Sequence, residues 1–109
     1  MEKIILGQVE EVKINGFILK AKIDTGADRN SICSSLVNKL NMESTGKKAI
    51  IKSSNGTIRR DIYAGTLQIK GRKFDTIFTV ADRRHLKYDA LIGKNILKQG
   101  FLIDPSKWN

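Results

Sequence analysis

A chain of 109 residues with 40% apolar and 28% charged side chains has the composition of a single soluble globular domain, with no room for a second catalytic lobe and no apolar run of membrane-spanning length. Its formal charge of +9 comes from dispersed positions (Lys20 and Lys22, Lys47 and Lys48, Arg59 and Arg60, Lys70, Arg72 and Lys73, Arg83, Arg84 and Lys87) with no interleaved aromatics, which fits solvated faces first, an acidic peptide substrate second and nucleic acid last. One cysteine, Cys33, excludes an internal disulfide, and one histidine, His85, leaves no zinc site of the usual His and Cys type; no metal and no cofactor are expected.

In chain order, Met1-Glu2-Lys3-Ile4-Ile5-Leu6 is too short an apolar start, broken by Gly7, to act as a secretory signal, so a cytoplasmic location is expected. A short strand and a bend lead into Val12-Lys13-Ile14-Asn15-Gly16-Phe17, where Asn-Gly marks a hairpin. Phe17, Leu19, Ala21 and Ile23 then alternate with Ile18, Lys20, Lys22 and Asp24, a period of two that predicts a half-buried return strand ending at Asp24. Asn30 to Cys33 is a short extended piece with Cys33 as a buried small hydrophobe. Ser34 or Ser35 is the predicted cap of a packing helix carrying Leu36, Val37 and Leu40 and ending near Asn41. Thr45-Gly46-Lys47-Lys48 predicts a chain break, followed by a second Asn-Gly hairpin around Ser53-Ser54-Asn55-Gly56. Strands at 65–69 and 74–80 turn through Lys70 to Lys73, and 81–87 is expected to be a loop holding His85 at the surface. Residues 88–97 predict an apolar strand, Gly93 and a helical turn or two; Gly100 to Asp104 predict a last strand before Pro105 and Trp108. The sum is an all-β, barrel-like single domain over 1–109 with one or two short helices.

Lys22-Ile23-Asp24-Thr25-Gly26-Ala27-Asp28 is the stretch with chemical content. A carboxylate at a strand end must be compensated by hydrogen bonds, a shared proton or a cation. Thr25 can donate and accept, Gly26 frees a backbone N–H for close approach, and Ala27 adds no bulk. By themselves these residues favour a solvated turn over a catalytic carboxylate, because Asp, Thr and Gly are ordinary turn residues.

Two separated stretches resemble one family together. Ala21 to Asp28 is similar to the active-site segment of retropepsin-like (retroviral-type) aspartic proteases, and Ala90-Leu91-Ile92-Gly93-Lys94-Asn95-Ile96-Leu97 is similar to their second signature, aliphatics and glycine leading into Arg-Asn and a helix. Phe78 to Lys94 and the Phe-Leu-Ile-Asp-Pro ending resemble the microbial branch labelled ATP-dependent zinc proteases, although the residues offer neither a zinc cluster nor a phosphate loop.

The resemblance implies a small closed acid-protease barrel and an aspartic endopeptidase active only as a homodimer, because one Asp-Thr-Gly supplies half of a carboxylate pair. It implies Asp24 as catalytic, Thr25 locking the two active loops, and Gly26 offering its carbonyl to substrate. Asp28 would bind substrate main chain while held by a cation after Gly93. Here that cation is Lys94, which lacks the arginine fork, with Asn95 beside it as support. Alanine at 27 has no hydroxyl to donate to the pair, so activity nearer neutral pH is expected. Asn55-Gly56 becomes the flap candidate, Leu91 and Ile32 apolar subsite walls, and Arg29 a residue facing an acidic peptide, which glutamate ligases as genome neighbours of this branch also suggest. The terminal strands, with an unpaired apolar edge and Trp108, are the material for the dimer contact. A non-catalytic dimeric peptide-binding module is the alternative.

Overall fold

The computed structural model describes residues 2–81 and 87–107; the expectations for Arg83, Arg84, His85 and Trp108 lie outside them. The elements are β1 (Ile4–Leu6), β2 (Val9–Ile14), β3 (Phe17–Ile23), β4 (Asn30–Cys33), a 3-10 turn (Ser34–Leu36), β5 (Glu43–Ser53), β6 (Gly56–Ile69), β7 (Arg72–Ala81), β8 (Ala90–Ile92), α1 (Lys94–Leu97) and β9 (Phe101–Ile103). Strands pair in the order β2-β3-β8-β4-β7-β6, and β6 pairs back to β2, which closes a six-stranded all-β barrel. β5 lies outside this ring as the second arm of a long hairpin with β6. Closure leaves no free edge around the core.

Local chemistry accounts for the hairpins. Asn15 and Gly16 both take positive φ, 51° and 87°, as a two-residue turn between twisted strands requires, and Lys70 and Gly71 repeat the pair at 50° and 81°. Side chains alternate inward along the strands: Val12, Ile14, Ala21, Ile23, Ile32 and Leu67 meet around Phe78, the largest fully buried side chain. Phe17 and Ile18, at the start of β3, are both exposed, so the predicted alternation holds only from Leu19 onward.

Two expectations are corrected. The helix after Ser34 shrinks to a 3-10 turn: Cys33 is extended and no side chain caps it, while the Leu40 and Met42 amides donate to Leu36 and Val37 carbonyls and reverse the chain. Val37, Leu40 and Met42 still pack into the core. The predicted break at Thr45 to Lys48 is a bulge within β5, where the register with β6 shifts between Ser44 and Lys48 and Thr45 Oγ1 donates to the Ile62 carbonyl at 2.8 Å. At the termini, β1 and β9 pair in parallel as a separate two-stranded sheet, and among the described residues the outer edge of each pairs with no further strand. Among the described residues no helix is long and apolar enough to cross a membrane.

Glu10 faces inward from β2 at 2% exposure, where burial is costly without partners. It accepts the Gly7 amide at 2.7 Å and meets Lys70 Nζ at 3.3 Å, which ties the chain entering β2 to the β6–β7 turn. Near the other terminus, the Ser106 hydroxyl and amide both donate to Asp104 Oδ1, and these bonds hold its carboxyl below the usual carboxylate range.

Candidate active site

β8 runs between β3 and β4, parallel to the first and antiparallel to the second. The chain joining β3 to β4, residues 24–29, must therefore pass over the end of β8, where Gly93 and α1 begin. Asp24 continues the β3–β8 ladder with its amide donating to the Ile92 carbonyl at 2.9 Å. Its half-buried carboxylate accepts the Gly26 amide at 2.9 Å, and a side chain at 26 would put its Cβ 3.2 Å from that same oxygen. Thr25 and Gly26 are exposed at the head of the loop.

The loop is locked from behind. Backbone amides of Lys94 and Asn95, unpaired by nature at the start of α1, donate to the Ala27 and Asp28 carbonyls at 2.8 and 3.3 Å. Gly93 is required by contact: a Cβ there would sit 2.6 Å from the Arg29 carbonyl oxygen and 2.9 Å from that of Ala27. Asn30, fully buried, accepts the Gly93 amide at 3.1 Å and donates to the Ile77 carbonyl at 3.2 Å and to Thr76 Oγ1 at 3.3 Å. Asn95 Nδ2 reaches the same Thr76 hydroxyl at 3.4 Å. One buried amide thus joins β4, β7 and β8 beneath the loop.

Asp28 and Lys94 pair at 3.0 Å, with side chains 86% and 53% exposed. An ion pair so open to water contributes little to stability, and its role is orientation.

A cleft of about 580 Å³ opens beside the loop. Ala27, Asp28 and Arg29 form one side, Ser31, Thr79, Ala81 and Leu91 the floor strands, and Ile50, Ile51 and Arg60 of the β5–β6 hairpin the other side. Asp24, Thr25, Gly26, Gly93, Lys94 and Asn95 are not among its lining residues; they carry and support the loop that forms its wall. Asn55 and Gly56 lie at the exposed hairpin tip and do not line it either. Ile32 is a correction: it is fully buried in the core and lines no subsite, because β4 turns it inward while Ser31 faces the cleft.

The model of the family described as "gag-polyprotein putative aspartyl protease" matches residues 10–99. The chain belongs to this family. It is similar in structure to the EIAV protease solved with the inhibitor HBY-793 (TM-score 0.64, 26% identity, 83% of this chain and 84% of that one) and to the simian foamy virus (mac) protease in solution (0.65, 24%, 84% and 92%). A Legionella pneumophila protein of unknown function shares the fold at TM-score 0.71 and 18% identity, over 95% of both chains. A probable alpha-L-glutamate ligase of Shewanella halifaxensis (strain HAW-EB4) is 34% identical over 58 residues, 52% of this chain but only 13% of the ligase.

In this member of the family, the zinc named for one microbial branch does not fit the donors. Among the described residues no three of His, Cys, Asp and Glu gather where an ion could sit, and Cys33 is buried with its Sγ 3.3 Å from Ser35 Oγ. Two residues of the site escaped the sequence reading. Asn30 looked like the first residue of a strand, and the signal was a residue of poor strand propensity at the head of an apolar run. Arg60 looked like surface charge, although Ile58, Arg60 and Ile62 share one face by the period of two.

Proposed function

We propose that this chain hydrolyses internal peptide bonds as a homodimer, with Asp24 of each subunit forming one carboxylate pair. The observation that carries the proposal is an Asp-Thr-Gly loop whose backbone is fixed from behind by Gly93, α1 and Asn30, while Thr25 and Gly26 stay exposed beside a peptide-sized cleft. Two such carboxylates meeting on a two-fold axis share one proton. The ionised one takes a proton from water, and the resulting hydroxide bonds to the scissile carbonyl carbon. The protonated one gives its proton to the carbonyl oxygen. Collapse of the tetrahedral diol returns that proton and expels the amine after protonation at nitrogen.

The remaining residues fall into supporting roles. Thr25 reaches its twin across the axis, Gly26 and Asp28 meet the substrate backbone, and Lys94 steadies Asp28 with Asn95 behind it. Leu91 gives an apolar wall, and the hairpin tip with Asn55 and Gly56 closes over bound peptide. The terminal sheet is offered as the dimer contact, since Ile5 and Leu102, partners in the β1–β9 register, are 50% and 51% exposed. Arg29 and the charge of +9 favour an acidic peptide, and similarity to part of a glutamate ligase supports a glutamate-extended one.

Asp24→Asn tests the proposal. It leaves a folded dimer that cleaves nothing in a broad peptide library that the wild type cuts; a wild type that cuts nothing in that library makes the chain a binding module instead. Equal turnover of polyglutamate and neutral peptides removes the acidic substrate.

A further inference from the structure

Arg60 stands where an aliphatic residue would be expected. Along β6 it shares a face with Ile58 and Ile62, and across the hairpin it pairs with Ala49, while Ile58 pairs with Ile51. Ala49 and Ile62 are buried. Its Nε is buried and has no hydrogen-bond partner. Nearby carboxylates are already taken: Asp61 by Lys48 at 2.5 Å, Asp28 by Lys94 at 3.0 Å. Arg60 is partly buried and Ile58 beside it is exposed, but holding one guanidinium nitrogen out of water with no partner is unfavourable. The same side chain lines the cleft, as Arg29 of the active loop does, with the hydroxyl-bearing Ser31 and Thr79 on the floor strands. The cleft therefore carries two positive charges that no described side chain neutralises.

We infer that Arg60 is a specificity-determining residue that reads a carboxylate on the bound peptide, with Arg29 as the second cation of the same subsite. The planar fork of arginine matches a carboxylate in two parallel N–H···O bonds, and a ligand carboxylate supplies the partner that the buried Nε lacks. Because Arg60 sits on the hairpin and Arg29 on the active loop, one carboxylate held by both draws the hairpin toward the loop. Recognition and closure of the cleft become a single event. This inference rests on the peptide-cleft reading given above, and it adds a residue and a chemical requirement. The carboxylate comes either from a Glu or Asp side chain or from a peptide's own terminus.

The test separates binding from turnover. In an Asp24→Asn background, fluorescence anisotropy compares peptides that differ only as Glu against Gln at each position, and as free acid against amide at the carboxyl end. The expected result is a preference of about tenfold or more for one acidic member, falling below about threefold in Arg60→Met and retained in part by Arg60→Lys. Which pair shows the preference identifies the source of the carboxylate. Arg60→Met keeps or raises the melting temperature, because an unbranched apolar side chain now completes the apolar row. No binding of any peptide, equal binding within every pair, or a ratio that Arg60→Met leaves unchanged overturns the inference. A lost ratio accompanied by a lower melting temperature in both variants assigns Arg60 a structural role and overturns it too. Cleavage of the same peptides by the protein with Asp24 intact is scored apart: binding preference without cleavage refutes the hydrolase and leaves the subsite standing.

Discussion

Gly93→Ala sets two effects of opposite sign against each other. Gly93 has φ −103° and ψ −175°, extended backbone that any residue adopts. Replacing glycine in such a place should stabilise the fold by about 0.4–1 kcal/mol through the unfolded chain alone. The contacts point the other way. The new Cβ would lie 2.6 Å from the Arg29 carbonyl oxygen and 2.7 Å from its carbon, so the active loop or the start of α1 must retreat by about 0.8 Å to restore an ordinary 3.4 Å contact. Overpacking of this kind costs about 1–3 kcal/mol, and stretching the bonds from the Gly93 amide to Asn30 and from the Lys94 amide to Ala27 removes about 1 kcal/mol more. The net expectation is a loss of about 2 kcal/mol, or roughly 10 °C in melting temperature for a domain of this size. Because the retreat displaces the wall carrying Asp24, peptide cleavage should fall by about a hundredfold in kcat/KM. Thermal melts and initial rates on one peptide measure both. Gly46→Ala is the control: its φ of +74° is strained for alanine, but nothing lies within 4 Å, so the cost stays near 1–2 kcal/mol with cleavage unaffected. A Gly93→Ala protein as stable as wild type and fully active would show that the contact argument is wrong.

Three further outcomes follow from the same frame. Asn30→Ala leaves the buried Gly93 amide without its acceptor and removes the part-buried bond to the Ile77 carbonyl, and should lower stability by about 2–4 kcal/mol in denaturant titration; a change under about 0.5 kcal/mol would remove Asn30 from its central place. Lys94→Ala should change stability by less than about 1 kcal/mol, since the pair with Asp28 is exposed, yet raise KM for peptides; an unchanged KM would detach Asp28 from substrate. Ala27→Ser introduces a hydroxyl donor beside the proposed carboxylate pair, so the pH–rate profile of the variant should move to lower pH than that of the wild type; coincident profiles would contradict it.

Much of the barrel was legible because its turns are local events. Asn15-Gly16 and Lys70-Gly71 need positive φ at both positions, and that need is written in the residue types. The Asp24 loop and the Gly93 turn were legible through their two motifs, and the structure adds the reason the motifs belong together: Gly93 is small because the loop lies on it. What stayed hidden depends on distant partners. Thr45 holds its strand by a bond to Ile62, across the β5–β6 pair, so a sequence rich in turn formers became a bulge instead of a break. Ser34 has a capping side chain but no long helix to cap, because the chain reverses at Asn41 to deliver Met42 to the core. Asn30 and Arg60 carry a local signal in strand propensity and in the period of two, but what each one meets is set by strands far away in sequence.

The most direct test of half a catalytic pair per chain is subunit mixing. Wild-type protein at fixed concentration is allowed to exchange with an equal amount of Asp24→Asn protein, and cleavage of one peptide is followed. If two Asp24 carboxylates are needed, random re-pairing leaves half the wild-type chains in mixed dimers that do nothing, and activity falls to about one half, dropping further as the variant is increased. Activity that stays constant at every ratio would mean that each chain works alone, and would contradict the account.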